Sequence, residues 1–297
     1  MKTLTVITTT YNRAYCLHQV YESLLRQDCD DFLWLVMDDG STDGTRDLVQ
    51  RWIDAGRIEI EYYLKPNGGM HTARNAAYEK VHTELNVIID SDDWMSDGAV
   101  GRIIRFWNEN KRADMAGIIS LNADPGGKLI GTAMPNGVTE CHYEEFWNRY
   151  HMTGDKKLIY RSELTKLYPY PEFSGEKFYP ASYKFRMLDH QYKMLIMDDV
   201  TCIVDYNDDS MSQAKEKQYQ SCAKGFSHYR NEMIKISHSP EEKIKMMIHY
   251  VAESKFAGNR RYVQDSCRPG LAVLCVPIGL MYYRLLCRKL KKDEKNA

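Results

Sequence analysis

Over its first 120 residues the chain alternates short β-rich runs with helical patterns, and few architectures other than a covered sheet sustain that order for so long. The runs Leu4 to Thr9, Phe32 to Met37, Ile58 to Leu64, Leu85 to Ile89 and Met115 to Leu121 predict strands. Between them, Leu17 to Arg26, Asp43 to Ala55, Thr72 to Val81 and Gly98 to Asn110 predict helices. Strands joined through helices pair in parallel, so the expectation is an α/β fold, a mainly parallel sheet flanked by helices. Within it, Val87-Ile88-Ile89 is continuous apolar sequence that ends abruptly in Asp90-Ser91-Asp92-Asp93. A central strand buried on both faces reads that way, and in open α/β sheets ligands bind beyond the C-terminal ends of such strands.

After this first segment, 1–120, the sequence divides into 121–212, 213–265 and 266–297. From about Pro125 to Pro180 the pattern loosens into turns such as Asp124-Pro125-Gly126-Gly127 and Pro135-Asn136-Gly137, which predicts a loop-rich lobe. Residues 212 to 257 read as helices, one of them opening at Pro240 behind a Ser239 cap. With 40 Lys and Arg against 41 Asp and Glu, nothing in the net charge of -1 attracts nucleic acid. The eight cysteines show no Cys-x-x-Cys pair and no zinc-type histidine spacing, and read as reduced packing residues. The start, Lys2 to Ile7, is too short and too β-like for a secretory signal, so a cytosolic location is expected.

Two sets of carboxylates carry the chemistry. Asp38 and Asp39 end the run Phe32 to Met37, and Gly40-Ser41-Thr42-Asp43-Gly44-Thr45 turns into a helix that Ser41, Thr42 or Asp43 is expected to cap. Adjacent acids at a strand end repel one another and lose hydration unless a ligand or donors compensate. Asp90, Asp92 and Asp93 make the same demand more strongly, and a hard divalent cation, Mg2+ or Mn2+, shared with phosphate oxygens would meet it.

Four segments in order resemble glycosyltransferase family 2, whose members have the GT-A fold with a Rossmann-like sheet. They are Thr5 to Arg13, Asp38 to Thr45, Asn67-Gly68-Gly69 with Ala73-Arg74-Asn75, and Asp90-Ser91-Asp92-Asp93-Trp94. The resemblance covers residues 3 to about 110 and thins beyond. It implies an enzyme that moves a sugar from a UDP-sugar, with inversion, onto a glycan or lipid-linked saccharide used in cell-surface polysaccharide assembly. Residues 1–120 would then bind the nucleotide sugar and 121–212 the acceptor. It further implies that Thr9 and Tyr11 flank the base, that Asp39, beside Asp38, accepts the uracil ring N–H, and that Asp90, beside Ser91, contacts the ribose. Asp92 would hold the metal, with Asp93 as local support, while Asn67, Gly68 and Arg74 line the nucleotide pocket, Arg74 nearest the phosphates. Asn75 is either structural or part of that pocket, and His71, at a position that varies in the family, either touches phosphate or packs.

An inverting transfer needs a base to deprotonate the acceptor hydroxyl. The family supplies a carboxylate from the acceptor lobe, and Glu176 in Phe173-Ser174-Gly175-Glu176-Lys177-Phe178 is the best match, ahead of Asp155 and of Asp189, which reads as a helix-surface residue. Asp208 and Asp209 read first as an acidic turn. The stretch Gly270 to Tyr283 is apolar, is interrupted by Pro277 and precedes a basic cluster. It is expected to lie on an anionic membrane surface without crossing it, or to pack on the domain. Two other functions suit the same motifs less well. A non-catalytic UDP-sugar-binding or scaffold subunit would not need the costly carboxylates, and a nucleotidyltransferase would show a glycine-rich phosphate loop where Thr8 to Arg13 has none.

Overall fold

The computed structural model describes residues 2–205 and 215–296, so Asp208 and Asp209 lie outside the described residues. The chain forms two compact units, Met1–Pro169 with Lys184–Asn207, and Tyr170–Tyr183 with Asp208–Ala297.

One nine-stranded sheet organises the first unit. Its strands are β1 (Leu4–Thr10), β2 (Phe32–Asp38), β3 (Ile60–Leu64), β4 (Leu85–Ile88), β5 (Trp94–Met95), β6 (Met115–Ala123), β7 (Glu140–Cys141), β8 (Lys156–Arg161) and β9 (Lys193–Ile203). They lie in the order β3-β2-β1-β4-β8-β6-β9-β5, with β7 pairing β9. Helices α1 (His18–Leu25), α2 (Thr45–Ala55), α3 (Met70–Lys80) and α4 (Ala99–Asn110) alternate with the early strands. They are followed by α5 (Tyr143–Asn148), α6 (Ser162–Thr165) and α7 (Ser182–Asp189).

The parallel pairing expected from the alternation holds across β3-β2-β1-β4. Beyond β4 the sheet is mixed: β8 enters antiparallel to both β4 and β6, while β6 and β9 pair in parallel. Strand β2, FLWLVMD, is buried at every position, which is why it reads as an unbroken apolar run. On one side of the sheet Leu4, Val6, Trp34, Val36 and Val87 pack with Leu24, Val49 and Ile103, and the rings of Tyr21 and Trp52 stack at 4.4 Å. Ile119, Leu121, Phe146 and Tyr160 belong to a second cluster. Each such side chain contributes roughly 1.5–3 kcal/mol of burial. The register Thr10↔Asp38 and Ile7↔Ile88 brings the C-terminal ends of β1, β2 and β4 to one edge.

The second unit carries α8 (Lys215–Ser221), α9 (Ala223–Ile236), α10 (Pro240–Phe256) and α11 (Pro269–Asn296). Ser239 caps α10 by accepting from Glu242 N at 3.3 Å, with Pro240 next, as its sequence signature indicates. Inside the unit, Ile234, Met247, Val251, Ala272 and Cys275 pack together, and Arg230 pairs with the fully buried Glu253 at 3.1 Å. The expectation that Pro277 interrupts the tail is corrected: α11 runs 28 residues straight through it. Its stretch Pro269–Lys292, which holds an 18-residue window of mean hydropathy 1.7, is long and apolar enough to cross a membrane by length and composition. One face of α11 nevertheless belongs to α10. A Cβ on Gly279 would meet Val251 Cβ at 2.6 Å, and Tyr282 and Tyr283 lie edge-on to His249 and Phe256. The other face leaves Val273, Leu274, Ile278, Met281 and Leu285 exposed.

Candidate active site

The shared edge of β1, β2 and β4 is tied together before any ligand is considered. Asp39 N donates to Thr10 O at 2.8 Å and Ile89 N to Ile7 O at 2.9 Å, so the loops that follow these strands leave from fixed points. Gly40 turns the chain with φ 85°, and a Cβ there would meet Asn67 N at 2.9 Å, so a side chain would collide with the backbone of the neighbouring loop. Asp43, among the three residues expected to cap α2, accepts from Thr45 N at 3.0 Å, while the residue at the cap position itself is Gly44.

The two aspartates after β2 have separate tasks. Asp38 is fully buried and takes Ser41 N and Tyr62 Oη, both at 2.7 Å, so it serves the turn and has no surface for a donor substrate, contrary to the sequence expectation. Asp39 Oδ1 accepts from Lys65 Nζ (2.7 Å) and Gly68 N (3.0 Å), and Oδ2 from Gly69 N (2.7 Å) and Asn67 Nδ2 (3.2 Å). A carboxylate offers about four lone-pair sites, so Asp39 is saturated by the segment that carries Asn67 and Gly68. Thr9 is half-buried at the end of β1, and Tyr11, just beyond it, is 48% exposed, as a platform for an aromatic base requires.

Around Asp90-Ser91-Asp92-Asp93 each carboxylate has its own cation. Arg74 Nη2 lies 3.1 Å from Asp90 Oδ1, Arg13 Nη1 3.4 Å from Asp92 Oδ2, and Lys157 Nζ 3.8 Å from Asp93 Oδ2. Lys157 rises from β8 and also donates to Ile88 O at 3.2 Å. Burial pushes the Asp90 carboxyl up, but Arg74 and Lys157 outweigh it and hold the group below its ordinary range. Burial and the charge of Asp90 push Asp92 up. Burial drives Asp93 up to about 7, Lys157 opposing and Asp90 and Asp92 adding to the rise. Ser91 is buried in the turn. The cluster therefore has a buried base, Asp93 with Lys157, and a more exposed rim of Asp90 and Asp92.

For a divalent cation the donor set suits an ion that takes one or two carboxylates and completes its shell with phosphate and water. The Asp92 side chain is 22% exposed with Arg13 on its Oδ2, Asp90 lies two residues away, and among the described residues no preassembled group of three ligands occurs. The remaining expectations are placed as follows. His71 is buried on α3, which favours packing, and Asn75 is half-buried. Asp155 is exposed. Asp189 is the last residue of α7, and its carboxylate takes Tyr143 N and Glu144 N, anchoring the start of α5. Glu176 belongs to the second unit, where Oε1 accepts from Lys224 N at 2.9 Å and Oε2 from Gly225 N at 2.7 Å at the head of α9. That capping contact was not foreseen from the sequence. Also missed were Arg13, Lys65, Lys157 and Asp205, whose backbone N–H serves Asp93 and whose charge helps to raise Asp92. The pair Lys156-Lys157 just before Leu158-Ile159-Tyr160 was the available signal for one of them.

Comparison with known proteins decides the family. The glycosyl transferase family 2 model matches residues 5–167, more than half of the chain. The chain belongs to that family. Among curated relatives it is 34% identical over 128 residues to TuaG of Bacillus subtilis, named for teichuronic acid biosynthesis, covering 42% of this chain and 50% of that protein. The chain thus spans about half the length of this relative. Among solved structures, S. aureus TarS 1–349 in complex with UDP-GlcNAc superposes with a TM-score of 0.63 at 18% identity, covering 99% of this chain and 92% of that one. The mannosyltransferase PcManGT from Pyrobaculum calidifontis, in complex with GDP-Man and Mn2+, gives 0.56 at 17%, covering 96% and 82%. At these identities the structures establish the GT-A fold.

Proposed function

We propose that this family 2 glycosyltransferase moves a sugar, with inversion, from a UDP-sugar to a saccharide or lipid-linked saccharide acceptor in cell-surface glycan synthesis. The observation that carries the reading is the rim of Asp90 and Asp92, flanked by Arg13 and Arg74, on the strand edge that also bears exposed Tyr11. A nucleotide diphosphate needs an aromatic platform, ribose acceptors and cationic charge within one reach, and this edge offers all three. TuaG's name supports a surface-glycan product, and the UDP-GlcNAc held by TarS supports the donor class.

In this reading Tyr11 and Thr9 flank the uracil and Asp90 accepts from the ribose. Asp39 accepts the ring N–H in place of the Asn67 contact, the longest of its four at 3.2 Å, since Asn67 Nδ2 keeps its 2.8 Å bond to Asp39 O. Arg74 and the α3 entry at Gly68 face the diphosphate, and Mg2+ or Mn2+ at Asp92 would neutralise the charge that builds on that leaving group. The acceptor proton goes to Glu176, the carboxylate that the family pattern nominates. The apolar face of α11 with its basic end docks on the inner face of the cell membrane, where a lipid-linked acceptor would lie, and the eight free cysteines suit the cytoplasm.

Calorimetry with UDP and Mn2+ tests the core of the reading. Binding is expected for the wild type and is lost in Asp92→Ala, together with UDP release from UDP-sugars. Absence of UDP binding in the presence of Mn2+, with Asp92→Ala changing nothing, rejects it.

A further inference from the structure

Three cations serve the acidic turn, and they differ in how firmly they are held. Lys157 is about one-tenth exposed and is held by Asp93, Ile88 O and Cys202. Arg74 is about one-tenth exposed and sits at a normal hydrogen-bond distance, 3.1 Å, from Asp90. Arg13 is different, with 23% of its side chain exposed and a single contact to Asp92 at 3.4 Å, longer than a well-formed charge-assisted bond. Its shorter contact, 2.7 Å, is to Tyr15 Oη.

The loop that presents Arg13 is nevertheless fixed. Asn12 adopts a left-handed φ of 53°, its N–H donates to Ser41 Oγ at 2.8 Å, and its Oδ1 accepts from Thr42 N at 2.7 Å. Ala14 N donates to Asp43 Oδ2 at 3.1 Å. The backbone on both sides of Arg13 is thus clamped to the β2–α2 turn, and only the guanidinium has freedom to move. A strained, over-determined residue beside a weakly held cation is where a fold stores a working part.

We propose that Arg13 is a resident counter-ion of Asp92 that an incoming divalent cation displaces, and that the released guanidinium then binds the diphosphate of the donor. This rests on the metal role of Asp92 given above. A permanent positive charge beside Asp92 Oδ2 competes with any metal for the negative charge of the same carboxylate. An arginine freed within reach of phosphate offers the paired N–H geometry that phosphate oxygens accept. One side chain thereby opposes metal binding in the empty site and supports it once the nucleotide is present, so metal and donor enter together.

The test separates the two halves by sign. In Arg13→Met, Mn2+ alone, followed by electron paramagnetic resonance, should bind on the order of three- to tenfold more tightly, as removal of a partly exposed charge pair allows. UDP in the presence of saturating Mn2+, followed by calorimetry, should bind on the order of tenfold more weakly. Arg13→Lys, which keeps the charge and loses the fork, should leave Mn2+ affinity near wild type and weaken UDP. Melting temperatures verify that each variant is folded. Unchanged or weaker Mn2+ binding in folded Arg13→Met overturns the counter-ion role, and unchanged UDP affinity overturns the phosphate role. If neither wild type nor Arg13→Met binds Mn2+, the metal assignment at Asp92 falls and this inference falls with it.

Discussion

Lys157 shows how one buried charge can hold a functional turn. Its ammonium lies 3.8 Å from Asp93 Oδ2, and both side chains are only about one-tenth exposed. Removing one member of a buried pair leaves the other uncompensated, which costs about 3 kcal/mol or more. Lys157→Met should therefore lower unfolding stability by about that amount in urea titration. Lys157→Met with Asp93→Asn should recover a good part of the loss, since the stranded charge is gone. A double variant no more stable than Lys157→Met would rule out the pairing. At this scale the sequence identified the acids and Arg74, and missed the cations on Asp92 and Asp93. Asp90, Asp92 and Asp93 stand out because three carboxylates in four residues have no structural necessity. Arg13 and Lys157 do not stand out, because a lone arginine in a loop and a lysine opening a strand are ordinary. Asp38 and Asp39 look alike in sequence, and only the fold sends one into the core with Tyr62 and the other toward Lys65 and Gly69.

Among the elements, α9 offers the sharpest test of the acceptor side. Its first N–H groups at Lys224 and Gly225 end on Glu176, so that carboxylate stabilises the helix whatever else it does. Glu176→Ala should cost about 1 kcal/mol in thermal unfolding, typical of a lost cap. Glu176→Gln retains one carbonyl acceptor, so it should stay nearer wild type in stability while kcat falls about a hundredfold or more. A glutamine variant with full kcat confines Glu176 to capping. Apart from the two-residue β5, the early elements were legible to within a few residues, from Leu4–Thr10 to Ala99–Asn110, because strict alternation and apolar periodicity announce them. β8 was not, since Lys156 and Lys157 open it with two charges that the fold buries. The break expected at Pro277 failed for a related reason: proline within a helix removes one donor, and packing of α11 on α10 carries the helix across it.

For the molecule as a whole, charge is unevenly spread. The net value is -1, yet Arg284, Arg288, Lys289, Lys291 and Lys292 crowd the end of α11, next to its exposed apolar face. Because the opposite face is committed to α10, lipid can reach only one side, and the helix should lie in the headgroup layer. Wild-type protein should sediment with vesicles rich in phosphatidylglycerol and much less with neutral ones, losing most of that binding near 1 M salt, where the screening length is about 3 Å. Leu274→Glu with Met281→Glu should weaken it about tenfold or more at unchanged melting temperature. Equal binding to neutral vesicles would exclude the electrostatic part.

The antiparallel entry of β8 between β4 and β6 bears on how the protein is made. While the ribosome has delivered only the first four strands, β4 has a partner on one side alone, and its other edge stays open until β8 emerges. The sheet around β4 should therefore not finish folding before β8 is made. A nascent chain halted before Lys156 should be captured by chaperones or aggregate, whereas one released after Arg161 has the strand that closes the sheet and, on that same strand, the lysine that settles the acidic turn.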